Sequence, residues 1–339
     1  MIEAETIIVG GGPAGSACAW KLKQRGRDSI ILDKQTFPRL KLCGGWITPQ
    51  VAEDLELHAD RYPRGLLTFE KIHFHFPKFG FSTTSRQHSV RRYEFDAWLL
   101  ERAGVPVYEH EVREIRRENG YYVLDGAYRA RYLVGAGGTA CPVYRSLFRE
   151  INAHPKYLQT ATLEQEFAYD YTERDCHLWF GHQGLPGYAW YVPKANGYVN
   201  VGIGAMSVQM KFSDKDIHEY WQDLTGELRR RGLVTGHDFQ PKGYSYFLRN
   251  PVQMAQSERA FLVGDAAGLA TWDLAEGIGP AIRSAILAAE AIATGKPYSL
   301  ASVGRYSGGS ALLGFPFKYL FVNKSRAAAR RLVHQAATS

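Results

Sequence analysis

The feature that most constrains this chain is the run Ile7-Ile8-Val9-Gly10-Gly11-Gly12-Pro13-Ala14-Gly15. Three consecutive β-branched residues with no polar partner predict a strand covered on both faces, the kind found in parallel sheets. The strand leads directly into G-x-G-x-x-G and a helix of small residues. Gly10 permits the tight turn, Gly12 lets the backbone approach a pyrophosphate, and Gly15 lets the helix pack against the strand. Pro13 and Ala14 open that helix, whose unpaired N–H groups and dipole favour phosphate. An acidic residue about 20 positions on completes the pattern. Here it is Asp33, followed by Lys34, at the end of a second apolar strand, Ser29-Ile30-Ile31-Leu32, where it can accept hydrogen bonds from a ribose. A glycine-rich turn that binds nothing is the bland alternative, and Asp33 weighs against it.

A second focus lies far downstream, at Phe261-Leu262-Val263-Gly264-Asp265. An ionised carboxylate at the tip of a buried strand is costly unless donors satisfy it, and a polyol chain supplies such donors. Ala275-Glu276-Gly277-Ile278 then opens a helix whose N-terminal N–H groups can face a developing anion. A dinucleotide with a sugar alcohol at one end and a ring that becomes anionic on reduction matches both, so FAD is expected rather than NAD. The alternative for Asp265 is a helix cap in a structural turn.

The remaining chain predicts an α/β protein in which a Rossmann-like FAD-binding lobe is interleaved with a mixed, largely antiparallel substrate lobe. The FAD lobe is expected over 1–60, 91–150 and 255–298, substrate-lobe strands over 61–90 and 151–254, and a helical, basic C-terminal segment over 299–339. Alternation from Leu66 to Val90 sets Ile72, Phe74 and Phe76 on one face and Lys71, His73 and His75 on the other. Apolar spacing after Arg91 predicts an amphipathic helix, and Tyr132-Leu133-Val134-Gly135 another buried strand. Cys18, Cys43, Cys141 and Cys176 are scattered without C-x-x-C spacing. No metal site, iron–sulfur cluster or disulfide scaffold is therefore expected, and a reducing cytoplasm is the expected setting. The acidic start, Met1-Ile2-Glu3, has no basic n-region, so no signal peptide is expected. No apolar run approaches the roughly 18 residues of a membrane span.

Taken together, the glycine-rich start, Arg92 with Phe95-Asp96, the glycine-ended strand near 135–138 and Val263-Gly264-Asp265-Ala266-Ala267-Gly268 with Glu276-Gly277-Ile278 resemble the FAD-binding superfamily of para-hydroxybenzoate hydroxylase type. Within it, Lys41-Leu42-Cys43-Gly44-Gly45 is similar to the K-x-C-G-G of the geranylgeranyl reductase family. Tyr188-Ala189-Trp190-Tyr191-Val192-Pro193, followed by Gly202-Ile203-Gly204, resembles that family's Y-x-W-x-F-P and G-x-G, with Val192 replacing Phe. The resemblance implies reduction of isoprenoid double bonds. It implies that Gly10, Gly12, Gly15, Asp33, Arg92 and Asp265 bind FAD and that Gly277 and Ile278 face the flavin. The cofactor set extends to Pro13, Ala14, Lys34, Cys43, Gly44, Gly45, Val112 and Gly264, while Trp46, Tyr188 and Trp190 would line the substrate cavity.

Two departures stand out: Gly137 where the superfamily usually has Asp, and Trp272 and Ala275 where many members carry Pro and Gly. No proton donor emerges, and no catalytic residue is assigned beyond Cys43, which either touches flavin or substrate or is a small buried hydrophobe.

Rival expectations are a flavin monooxygenase or halogenase, whose G-W-x-W-x-I-P is similar to 187–193 except at Tyr188, and a non-catalytic prenyl-lipid carrier. A carrier would not need Asp265 and an intact glycine fingerprint. The expected partners are a hydrophobic small molecule and either NAD(P)H or a reduced carrier protein as electron donor; no nucleic acid is expected. The net charge of +7 owes much to Lys318, inside the apolar run from Leu312 to Val322, and to Lys324, Arg326, Arg330 and Arg331, which follow it. That segment reads either as a peripheral anchor on an anionic membrane or as a terminal helix packed on the protein with a solvated basic end.

Overall fold

The computed structural model describes residues 1–307 and 317–338. Strand β1 (Ile2–Val9), helix α1 (Pro13–Gln24) and strand β2 (Ser29–Asp33) form the opening βαβ unit, with Thr6 to Val9 in parallel register with Ser29 to Leu32. The chain leaves it through β3 (Trp46–Ile47), α2 (Pro49–Asp54), β4 (Leu67–His75) and β5 (Gly80–Ser89). It returns through α3 (Arg92–Ala103), β6 (Val107–Glu109), β7 (Ile115–Glu118), β8 (Tyr121–Leu124) and β9 (Tyr128–Gly135). After α4 (Pro142–Leu147) come β10 (Gln159–Ala168), β11 (Cys176–Phe180), β12 (Gly187–Lys194), β13 (Tyr198–Met206), α5 (Ser207–Met210), α6 (Ile217–Arg230) and β14 (Lys242–Phe247). The fold closes with β15 (Gln256–Ser257), β16 (Ala260–Leu262), α7 (Ile278–Thr294) and α8 (Lys324–Thr338).

These strands make two sheets. The first runs β15-β16-β9-β1-β2-β6, parallel from β16 to β6, with the β7–β8 hairpin attached to β9. Its central strands are apolar on both sides because both sides are covered. Ile8, Ile31 and Val134 pack under α1, α3 and α7, while Ile7, Leu32 and Leu133 face Val143, Tyr144 and Phe148. The second sheet runs β14-β10-β13-β12-β11-β4-β5-β3 and is antiparallel except where β11 pairs with β4. One face buries Tyr191, Val201 and Ile203 against Tyr220, Trp221 and Leu224 of α6, a helix started by a reciprocal Asp216/Glu219 capping box. The other face carries Ile72, Leu178, Phe180, Trp190 and Val192 toward the first lobe.

Two differences from the sequence reading have simple causes. Trp46–Ile47 pairs with β5, so a piece of the second sheet lies inside the 1–60 stretch. Residues 299–307 are turns rather than helix; Tyr306 and Arg305 sit against Trp272, and Ser307 is held by Asp273. The first residues of the apolar Leu312–Val322 run lie outside the described residues. Of the remainder, Phe321 and Val322 are buried in the second sheet's inner face, and Lys318 lies 4.2 Å above the Trp272 ring. No helix among the described residues is long and apolar enough to cross a membrane.

Candidate active site

A cavity of about 1530 Å³ runs between the two sheets, larger than the roughly 300–1,000 Å³ of an ordinary small-ligand pocket. At one end it is walled by the β1–α1 turn. Gly10 has φ +111, and a Cβ there would lie 2.5 Å from Ala136 O, so only glycine fits. Gly12 is the N-cap of α1 and has no capping side chain, which leaves the first helical N–H groups open toward the cavity. Asp33 accepts from Gly11 N–H at 2.7 Å and from Gln35 N–H at 2.9 Å, fixing the turn while each oxygen keeps a lone pair for a ribose hydroxyl.

Deeper in, Asp265 follows β16 at the strand tip. It is open only to the cavity, and no donor among the described residues reaches its carboxylate. Burial raises its pKa, opposed by the charges of Lys41 and Arg92. Arg92 clasps Asp96 with two hydrogen bonds, of 2.6 and 2.9 Å. Burial works against its charge, but Asp96 and then the Cys43 sulfur more than offset that and hold the guanidinium firmly protonated. Cys43 thus has a cationic neighbour, and its sulfur also accepts from Gly45 N–H at 3.4 Å. Gly45, at φ +69, passes so close to Val90 that a Cβ would sit 2.0 Å from its carbonyl oxygen.

The far half of the cavity is apolar and aromatic. Trp190 is held by an Nε1–H bond to Asn200 Oδ1 at 2.6 Å, and its ring occupies the space a side chain at Gly202 would need, 2.1 Å from that Cβ. This is the physical demand behind the first glycine of Gly202-Ile203-Gly204. The Tyr188 hydroxyl donates to Leu274 O and that of Tyr246 to Ala275 O, tying the second sheet to the loop before α7. Ala275 stands at φ +54, a conformation costing an L-residue about 1–2 kcal/mol.

Two buried carboxyls flank this half. Glu276 accepts Gly279 N–H at 2.6 Å and lies beside Ile278 N–H, so the N-terminus of α7 already has an internal acceptor; burial lifts its pKa to about 7. Glu164, on the cavity wall, is 2 % exposed and its Oε2 has no hydrogen-bond partner. Burial raises its pKa to about 7 against the opposing pull of Lys194 and a hydrogen bond from Asn200.

Two family models match, one described as an NAD(P)-binding Rossmann-like domain over residues 8–76 and one as a geranylgeranyl reductase catalytic domain over 158–237. A menaquinone reductase of Mycobacterium tuberculosis is 30% identical over 323 residues, covering 85% of this chain and 76% of that protein. The chain belongs to the geranylgeranyl reductase family. Digeranylgeranylglycerophospholipid reductase 1 of Methanopyrus kandleri is 25% identical, covering 78% of this chain and 74% of its own. The crystal structure of a geranylgeranyl bacteriochlorophyll reductase-like protein from Thermoplasma acidophilum superposes with a TM-score of 0.73 at 21% identity, covering 99% of this chain and 87% of that one. The family is one of FAD-dependent oxidoreductases, and this chain is an enzyme of that class. Its residues fit the cofactor: the glycine cradle admits a backbone-bound pyrophosphate, and the unpartnered Asp265 carboxylate needs the donors that a ribityl chain carries.

Of the residues singled out from sequence, Gly10, Gly12, Pro13, Ala14, Asp33, Lys34, Cys43, Gly44, Gly45, Arg92, Val112, Asp265, Gly277 and Ile278 all line this cavity, as do Trp46, Tyr188 and Trp190. Gly15 and Gly264 lie off its wall. A Cβ at Gly15 would meet Gly10 O at 1.8 Å, which makes it a packing glycine, and Gly264 donates its N–H to Ser284. Sequence reasoning missed Glu164 and quoted Glu276 and Lys41 only within motifs, without a role; the Lys41 ammonium sits 3.4 Å over the Tyr244 ring beside the cavity. A polar residue in an alternating strand reads as solvent-facing, and only the apposed lobe makes Glu164 an interior group.

Proposed function

We propose that this enzyme saturates carbon–carbon double bonds in an apolar isoprenoid or lipid-like substrate. The observation that carries the reading is one uninterrupted cavity, passing from the dinucleotide cradle at Gly10 and Asp33 to the apolar wall of Phe74, Leu178, Tyr188 and Trp190. Two of the relatives are named for a menaquinone and a digeranylgeranyl lipid, both large apolar molecules.

Bound FAD, once reduced, supplies the hydride. The protein does the rest. The α1 N-terminus and Asp33 hold the nucleotide end, Asp265 and Arg92 hold the middle, and the aromatic wall positions an alkene while keeping water out. Saturation also needs a proton. Glu164 is the group suited to hold it, because its Oε2 has no competing partner and its carboxyl stays neutral up to about pH 7. After transfer, Lys194 and Asn200 stabilise the carboxylate left behind. The reductant that recharges the flavin is NAD(P)H or a reduced carrier protein. The basic C-terminal helix would rest on an anionic membrane from which such a substrate is drawn.

The test is anaerobic. Dithionite-reduced enzyme mixed with a geranylgeranyl lipid should return to the oxidised yellow form as the lipid gains two hydrogens per reduced bond. A product that forms only after air is admitted, bearing a hydroxyl or halogen, would assign the protein to the oxygenases or halogenases. Tight lipid binding with no turnover would make it a carrier.

A further inference from the structure

On the opposite face of the second sheet from the cavity, β4 and β11 run parallel with His73 beside His177, and the turn before β11 brings Glu173 and Asp175 against them. Each of these four groups spends one polar atom on holding itself in place. His73 Nδ1 bonds Ser82 Oγ at 2.6 Å, and His177 Nδ1 bonds His75 Nε2 at 3.0 Å. Glu173 Oε1 accepts Asp175 N–H at 2.8 Å, and Asp175 Oδ1 accepts Lys71 N–H at 3.0 Å. The second atom of each is turned toward the others. His177 Nε2 lies 3.8 Å from Glu173 Oε2, and His73 Nε2 lies 3.5 Å from Asp175 Oδ2.

The ligand atoms of His73, Glu173 and His177 all fall within 4.8 Å of one another. Two ligands about 2.0–2.2 Å from a zinc ion at a tetrahedral angle stand roughly 3.4 Å apart. Closing the set therefore takes a contraction and a turn of the His73 and His177 rings, which lie stacked at 4.4 Å with an interplanar angle of 27°. His177 is 7 % exposed, and its Nε2 is buried with no hydrogen-bond partner, an unmet cost unless something binds there.

We infer that His73, His177 and Glu173 form a structural site for a divalent transition-metal ion of the zinc class, with Asp175 beside it at His73 and water completing the coordination. Both rings are anchored through Nδ1, and with the proton on Nδ1 each presents Nε2 as the ligand, the arrangement that metal-bound imidazoles need. Arg231, the cation that acts on His177, is engaged by Glu227 at 2.5 Å. Two carboxylates balance the charge of the ion. The ion would clip β4 to β11 and to the turn before it, remote from the flavin side. Cysteine spacing pointed away from metal because this ligand set has no cysteine and no local spacing.

The experiment uses the full FAD-loaded chain, stripped with chelator and titrated with Zn²⁺ alone by calorimetry, with metal analysis after dialysis and Co²⁺ as a visible-absorption probe. One ion per chain is expected, together with four-coordinate Co²⁺ bands and a Zn²⁺-dependent rise in Tm. Glu173→Gln and His177→Gln should abolish the stoichiometric ion. Ser82→Ala, which removes the hydroxyl bonded to His73 Nδ1, should weaken it by about tenfold. Should His177→Gln not fold, the more exposed Glu173→Gln decides, with retained flavin colour reporting the fold. No stoichiometric ion in the wild type, or equal binding by the variants, would overturn the inference.

Discussion

Replacing Glu164 by Gln tests whether the cavity holds a neutral carboxyl. In the folded chain burial moves this group from the usual 4.5 to about 7. At 1.36 kcal/mol per unit, the shift is worth roughly 3 kcal/mol, an order-of-magnitude figure for a group this deeply buried. The sign follows from which state binds the proton more tightly. The folded state does, so the stability this group contributes is fully present below about pH 4.5 and is lost as pH rises through about 7. Gln keeps the shape and removes the titration. Glu276 titrates over the same range, so the informative quantity is the difference between wild type and variant.

Denaturant unfolding of the FAD-loaded protein at several pH values should show the variant gaining on wild type by up to roughly 3 kcal/mol between pH 5 and pH 8. In anaerobic single turnovers the wild-type rate should fall about tenfold per pH unit above 7, and the variant should be slower by ~10²–10⁴ with flavin binding intact. Parallel stability profiles for the two proteins would show that Glu164 is ionised in the folded state and would refute the argument. An unchanged turnover rate would remove it as the proton source.

Asp265→Ala should weaken FAD retention by about 1–3 kcal/mol, roughly 5- to 150-fold, because ribityl hydroxyls lose their acceptor. Fluorescence titration of the apoprotein measures it, and unchanged affinity would place the polyol elsewhere. Removing the chain from Phe317 onward strips Phe317 and Leu320 from the cavity wall and Phe321 and Val322 from the core, where each buried side chain is worth about 1.5–3 kcal/mol. A fall in Tm with weakened lipid binding is the expected result. An unchanged Tm with loss of salt-sensitive binding to anionic vesicles would instead make the segment an anchor that the fold does not need.

Local sequence was sufficient for the dinucleotide half of this protein. The apolar run at Ile7, the glycines after it and Asp33 at the end of the next strand are legible because backbone geometry fixes them within one βαβ unit, whatever the rest of the chain does. Alternation likewise assigned Tyr188 and Trp190 to one face of β12 and Tyr191 to the other, since strand period is a property of the backbone. It did not say which face meets a cofactor. That depended on the second sheet docking over the first lobe, which turned Glu164 from a polar strand residue into a buried acid, while the return of α3 to the first lobe gave Cys43 its cationic neighbour in Arg92. Helical spacing and charge at the C-terminus were compatible with membrane or protein, and only packing put Phe321 and Val322 in the core. The histidines were the least legible of all. His73 and His177 become neighbours through the parallel pairing of β4 with β11, a long-range contact that leaves no spacing in the sequence. Sequence by itself determined the elements whose chemistry is local; burial, charge pairing and ligand convergence arise between elements, and those the tertiary structure alone decided.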